Sequence, residues 1–97
     1  MTLEFLSEAW IEAEEATRYY EDRVPGLGLR FRLQLESVCA TISGQPLLWN
    51  EREGGYRRVN LPGFPYYVAY VIRNDRIIVI AVGHSSRRPM YWAKRDE

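Results

Sequence analysis

Two hydrophobic periods divide this chain. Up to about residue 44, apolar positions recur every three to four residues; from Tyr56 to His84 they recur every second residue. The opening "TLEFL" alternates and predicts a short first strand. Ser7 has the chemistry of an N-cap and Glu8 suits the first turn of a helix, so a helix is expected from Glu8 to about Arg23, with Trp10, Ala13, Ala16 or Thr17, and Tyr20 on its apolar stripe. "VPGLG" ends it, because Pro25 disfavours a helical Val24 and Gly26 and Gly28 permit a turn. A second helix carries Leu27, Phe31, Leu35, Val38 and Ile42 on one stripe, with Gly44 as its stop. The two helices form an αα-hairpin.

Beyond "SGQPLLWNEREGG", a loop in which Leu47 to Trp49 form an apolar plug expected to fold back on the core, the alternation predicts three strands. "YRRVNL" is followed by a Pro62-Gly63 turn. "FPYYVAYVIR" tolerates Pro65 near its start, where a missing N–H costs little. Asn74-Asp75 makes a tight turn, and "RIIVIAVGH" is almost continuously apolar, as a central strand should be. The expected architecture is α+β, in the order β-α-α-β-β-β: one domain over residues 1–97, an antiparallel sheet with the helical hairpin on one face. Alternation in the middle strand puts Tyr66, Val68 and Tyr70 on one face and Tyr67, Ala69 and Val71 on the other. One face is core; the other is a candidate aromatic binding surface.

Composition narrows the function classes. The chain has 97 residues, 46% hydrophobic and 27% charged, which is ordinary for a soluble globular protein. It has no apolar run of the roughly 20 residues that span a bilayer, and the N-terminus has neither a basic region nor an apolar core, so a cytoplasmic protein with no membrane partner is expected. Cys39 is the single cysteine; it sits beside the second helix's stripe, cannot pair internally, and cannot build a metal site with His84 alone. No metal or cofactor is expected. The net charge is zero but unevenly spread: residues 1–56 set five arginines against ten carboxylates, whereas residues 57–95 carry a net +7, before Asp96 and Glu97 restore the balance. A local basic face can attract polyanions on a neutral protein; equally, such charges can be solvated surface.

The chemistry-bearing stretch is "VGHSSRRPMYW", Val82 to Trp92, with the only histidine, two arginines and two aromatic residues. His84, Arg87 or Arg88, and Tyr91 supply a base, a phosphate clamp, and an acid or stacking platform. The same residues also make an ordinary strand exit, with His84 bonding its turn, Tyr91 and Trp92 covering the open end of the sheet, and the arginines solvated.

The short strand, the hairpin ending "ATRYYEDRVPGLGLRFRLQLESV", and "YRRVNLPGFPYYVAYVIRNDRIIVIAVGHSSRRP" together resemble the RelE/ParE superfamily of toxins from bacterial type II toxin–antitoxin modules, nearer its ParE-like branch. The resemblance covers nearly the whole chain, and it implies a cognate antitoxin that silences the toxin by wrapping it with its C-terminal segment; the free sheet face would be the seat. It implies one of two targets: DNA gyrase for ParE-like members, or ribosome-bound mRNA, which RelE-like members cleave. Positions of a RelE-like nuclease fall on Arg58 and Tyr91, which keep the residue type, and on Asn60, Tyr67 and Ser85, which do not. A catalytic set of His84, Tyr91 and Arg58 would therefore be a rebuilt one. The binding surface takes in Arg57, Arg87, Arg88, Tyr67 and Trp92 on the sheet side. Tyr19, Tyr20 and Arg23 on the hairpin are the contact region for a gyrase-type target. A descendant that binds proteins without toxicity is a third possibility, and oligomeric state is not legible.

Overall fold

A computed structural model of the chain describes residues 1–95. Asp96 and Glu97, counted in the charge balance above, lie outside the described residues. Six elements follow one another: β1 (Thr2–Phe5), α1 (Ser7–Arg23), α2 (Leu27–Gly44), β2 (Arg57–Asn60), β3 (Tyr66–Arg73) and β4 (Arg76–His84). The fold is α+β, with a helical hairpin on a four-stranded sheet of order β1-β4-β3-β2. The expectation of an all-antiparallel sheet is corrected at one edge: β1 runs parallel to β4, with Thr2 opposite Arg76 and Phe5 opposite Val79. A parallel neighbour requires a long crossover, and the helical hairpin supplies one. β4 is thereby central, as its apolar run implied.

Alanine spacing sets how closely α1 approaches the sheet. Ala9, Ala13 and Ala16 are its buried positions and Tyr20 packs on the core, so the expected stripe holds except at its start, where Ala9 takes the place given to Trp10, which is 46% exposed. Small side chains bring the helix backbone close, and a large indole is left at the hairpin's flank, packed on Phe5. Ser7 is the first helical residue rather than the cap; Leu6 holds the cap position without a side-chain bond, and Ser7 Oγ instead donates to the Glu8 carboxylate at 3.2 Å. The α1–α2 turn is capped from the side. Glu21 accepts the amides of Gly26, which has φ 89°, and Gly28, at 2.9 and 3.0 Å. At Gly28 a Cβ would lie 2.6 Å from the Thr17 carbonyl oxygen, so the close helix crossing requires glycine there.

The sheet has a core on each face. On the helix side, Phe31, Leu35 and Ile42 of α2 meet Val68, Tyr70, Ile77, Val79 and Val82, with the Tyr70 hydroxyl donating to the Pro46 carbonyl at 2.6 Å. On the other side Tyr67, Ala69, Val71, Ile78, Ile80 and Ala81 are buried under Tyr56 and Trp92. That face is not an open aromatic surface, because the chain beyond β4 returns to cover it. The plug also differs from expectation: Trp49 packs on the core, but Leu47 and Leu48 are 66% and 59% exposed. Asn74 and Asp75 both take positive φ, 50° and 63°, the tight hairpin turn expected of them.

One irregularity redirects the end of β4. Ala69 pairs with Ala81 but Tyr70 pairs with Val79, so Ile80 is an extra residue, a β-bulge. Ile80 and Ala81 both face the second core, and Val82 then returns to the helix side. Simple alternation would have placed Val82 and His84 on the opposite face from Val79; the bulge turns both toward α1.

Two substitutions check this packing. Phe31→Ala is expected to cost about 4 kcal/mol by leaving a cavity under both helices. Gly28→Ala is expected to cost about 2 kcal/mol by forcing the helices apart. Urea unfolding followed by circular dichroism measures both.

Candidate functional site

The short β1 leaves a gap that the site fills. β1 pairs with β4 only as far as Val79, so among the described residues no strand lies beside the outer edge of β4 from Ile80 onward. An open edge of this kind exposes backbone donors and acceptors that need partners. Glu12 of α1 and Arg95 provide them. Glu12 Oε1 accepts the Val82 amide at 3.0 Å, and Arg95 Nη1 donates to the Ile80 carbonyl at 3.2 Å. The two side chains also bind each other through two bonds, at 2.8 and 3.1 Å. Glu12 is 12% exposed and accepts as well from the Tyr91 hydroxyl at 2.5 Å and from Arg87 at 3.4 Å. One carboxylate thus gathers four groups: three side chains of the C-terminal segment and an amide of β4. Charge-assisted bonds in a shielded place are the strong ones.

Tyr91 is therefore a committed donor. Burial, followed by its bond to Glu12, pushes its hydroxyl well above the usual phenol range. The hydrogen bond with Glu12 likewise raises Arg95, against the opposing effect of burial. Glu12 itself was not singled out from the sequence, where it is one of several glutamates on α1; its spacing of three and four residues from Ala9 and Ala16 was the available signal, since it places Glu12 beside the alanine stripe that meets the sheet.

His84 and Arg87 meet α1 in a cleft of about 280 Å³, lined by Glu12, Glu15, Ala16, Tyr19, Tyr66, Val82, His84 and Arg87. His84 Nδ1 accepts the Ser86 amide at 3.0 Å and lies 2.7 Å from Ser86 Oγ, so it holds the turn, and its ring stands edge-on to Tyr66. This assigns the ring proton of the neutral imidazole to Nε2. Arg87 stacks over Tyr91 at 3.6 Å while reaching Glu12. The cleft's carboxylates oppose binding of a phosphodiester, and its one guanidinium is already paired.

The remaining predicted residues are dispersed. Arg58 lies over the Tyr67 ring at 3.9 Å and donates to Asn60, outside the cleft. Arg57, on the opposite face of β2, donates to the Trp49 carbonyl at 2.6 Å and holds the preceding loop. Tyr67 and Trp92 are each 4% exposed and bonded to one another, Trp92 Nε1 to the Tyr67 hydroxyl at 2.9 Å; burial withdraws both from the accessible surface. Gly83 makes room for this arrangement, because a Cβ there would lie 2.8 Å from Tyr67 Cζ and 2.9 Å from the Tyr91 hydroxyl. Arg88 is exposed. On the hairpin, Arg23 covers the half-exposed ring of Tyr19 at 4.5 Å, but Tyr20 turns inward against Phe31, Phe64 and Tyr66. Cys39 is partly buried, and burial with Glu36 nearby pushes its thiol up to about 11. Among the described residues no group of three or more His, Cys, Asp or Glu is placed to hold a metal ion, and no helix is long and apolar enough to cross a membrane.

Removing the shared carboxylate should be costly. Glu12→Ala is expected to lower stability by about 3 kcal/mol, since it strands Arg95 and the Val82 amide together, whereas Glu15→Ala should stay within about 0.5 kcal/mol. Paired urea titrations test the contrast. Alkali is a second probe. Tyr91, Tyr66, Tyr20, Tyr70 and Cys39 are all raised in the fold, chiefly by burial, so each stabilises the protein below its unfolded value and loses that contribution as pH rises toward the folded one. Stability is expected to be flat in this respect at neutral pH and to fall above about pH 9–10, with phenolate absorbance lagging that of free tyrosine.

Comparison with known proteins places this geometry in a family. The model of the ParE toxin of the type II toxin–antitoxin system parDE matches residues 3–89. Toxin ParE2 of Mycobacterium tuberculosis, in strains CDC 1551 and H37Rv, is 32% identical over 76 residues, which is 77% of this chain and 72% of that protein. Among solved structures, a chain of the chromosomal ParDE system from P. aeruginosa superposes with a TM-score of 0.78 over 87% of this chain and 95% of its own, at 14% identity, a likeness of fold. On the family match and the identity to Toxin ParE2, this chain belongs to the ParE toxin family of type II toxin–antitoxin systems.

Proposed function

We propose that this chain arrests growth in the cytoplasm by binding DNA gyrase, not by cleaving mRNA, and that a cognate antitoxin neutralises it. The observation that carries this reading is the engagement of Tyr91. A ribonuclease of the rebuilt type needs a free acid near a base and a free cation. Here the Tyr91 hydroxyl proton is spent on Glu12 at 2.5 Å. Arg87 is paired with the same carboxylate, and Arg58 lies outside the cleft that holds His84. Positions that keep the residue types of a nuclease thus serve as structural bonds in this chain. ParE membership supports gyrase as the target class.

A surface accessible to a large protein partner lies on the hairpin. Tyr19 and Arg23 stand together on α1, and Leu29 and Leu33, 61% and 55% exposed, stand one turn apart on α2. Exposed apolar and aromatic side chains at this spacing suit a protein surface better than a nucleic acid.

Purified protein is expected to inhibit gyrase supercoiling in vitro and to leave messages on programmed ribosomes without new ends. His84→Ala should keep growth arrest in cells within about twofold of the parent, because the imidazole is assigned to the turn. New ends within codons, lost in His84→Ala, would sink the proposal and establish the ribonuclease. Absence of any growth arrest on induction without an antitoxin would point to a binding protein without toxicity.

A further inference from the structure

The cleft between α1 and the end of β4 holds two carboxylates of unequal standing. Glu12 is matched by Arg87 and Arg95. Glu15 is exposed and, among the described residues, has neither a hydrogen bond nor an ion pair; Arg18, three positions on along α1, does not pair with it. The walls beside it are aromatic. Tyr19 lines the cleft with a half-exposed ring, on which Arg23 already stacks at 4.5 Å. Tyr66 lines it as well, its ring held edge-on by Tyr20, Phe31 and His84. The negative field crosses the cleft. Burial first, then Tyr20, Tyr19 and the Glu12 and Glu15 carboxylates, raise the Tyr66 hydroxyl above the usual phenol range.

A cavity that joins an uncompensated carboxylate to ring faces is suited to a flat cation. A guanidinium meets both demands, because it stacks on a ring and offers two parallel N–H groups to a carboxylate; an ammonium answers the charge alone. At about 280 Å³ the cleft is smaller than the pockets that enclose large ligands, and suits one long side chain. Arg87 does not fill this place, since its guanidinium lies on Tyr91 and reaches Glu12. We propose that the cleft receives a single arginine side chain of the protein partner, with Glu15 as the acceptor and Tyr19 and Tyr66 as the stacking walls. The partner's identity rests on the gyrase reading above; the chemistry of the cleft does not. Tyr19 links the two, because its ring borders the cleft and also stands with Arg23 on the hairpin surface. The charged contact fixes the register of an interface whose apolar part is Leu29 and Leu33.

The test uses the full chain labelled with nitrogen-15. n-Butylguanidinium, n-butylammonium and n-butyrate are titrated in turn, and NMR follows the amides of Glu15, Tyr19 and Val82. Saturable shifts are expected with butylguanidinium, binding at least about threefold weaker with butylammonium, and no shifts with butyrate. Glu15→Gln should weaken butylguanidinium binding at least about fivefold, whereas Glu14→Gln, exposed on the same helix, should change it by less than about twofold. Absent shifts, or equal affinity in Glu15→Gln and the parent, overturn the cleft as a guanidinium receptor whether or not gyrase binds. In a second titration, against gyrase, Glu15→Gln is expected to bind about tenfold more weakly than the parent, and Glu14→Gln within about twofold of it. Equal gyrase binding by Glu15→Gln and the parent overturns the assignment to a partner's arginine. A parent that does not bind gyrase at all sinks the target reading and removes gyrase as the source of the arginine, while the butylguanidinium titration still decides the chemistry of the cleft.

Discussion

The Glu12 carboxylate is the interaction on which the rest of this structure turns. It sits on the helix of the first layer, accepts a backbone amide from the second, and receives the hydroxyl and guanidinium groups that close the third. Its place follows from two features with no chemistry of their own. β1 is only four residues long, so β4 runs past it with an unpaired edge, and Ala9, Ala13 and Ala16 are small enough to let α1 lie against that edge. A longer β1 would have paired with Ile80 and Val82 directly. In its absence an ion pair takes the strand's hydrogen bonds, one partner for the amide and one for the carbonyl.

That arrangement gives a small chain two cores. A domain of this size is marginal if it buries a single sheet face. The helical hairpin covers one face with Phe31, Leu35 and Ile42; a short irregular segment covers the other with one indole. The bulge at Ile80 couples the two, because it sends Ile80 and Ala81 to the second core and turns Val82 and His84 toward the helices. Gly83 between them leaves space for the tyrosine hydroxyls that meet beneath the strand.

The basic C-terminal half of the sequence has a different meaning in the fold. Several of its arginines fasten parts of the fold together: Arg57 holds the Trp49 carbonyl, Arg58 lies on Tyr67, Arg76 pairs with Glu4 at the surface, and Arg87 and Arg95 converge on Glu12. A guanidinium with five donors on a plane suits this work, since it can stack and bond at once. Uneven charge along the chain is partly offset in space, because the acidic half supplies Glu4 to Arg76 and Glu12 to Arg87 and Arg95.

Periodicity alone determined the six elements, the hairpin at Asn74-Asp75 and the central place of β4, because each depends on neighbours within a few residues. The family resemblance was equally legible, carried by the order of those elements. Tertiary structure decided the rest. The parallel pairing of β1 depends on which edge a four-residue strand joins, and nothing inside "TLEF" specifies that. The face of His84 depends on a single bulged residue that shifts the alternation by one. Tyr67 reads equally as core or as surface until Trp92, twenty-five residues further on, is seen to fold over it and bond its hydroxyl. Glu12 looks like any solvated helix glutamate until an unpaired strand edge, created by distant residues, comes to rest beside it. Long-range partners of this kind are set by which surfaces close on one another, and a local pattern carries no record of them.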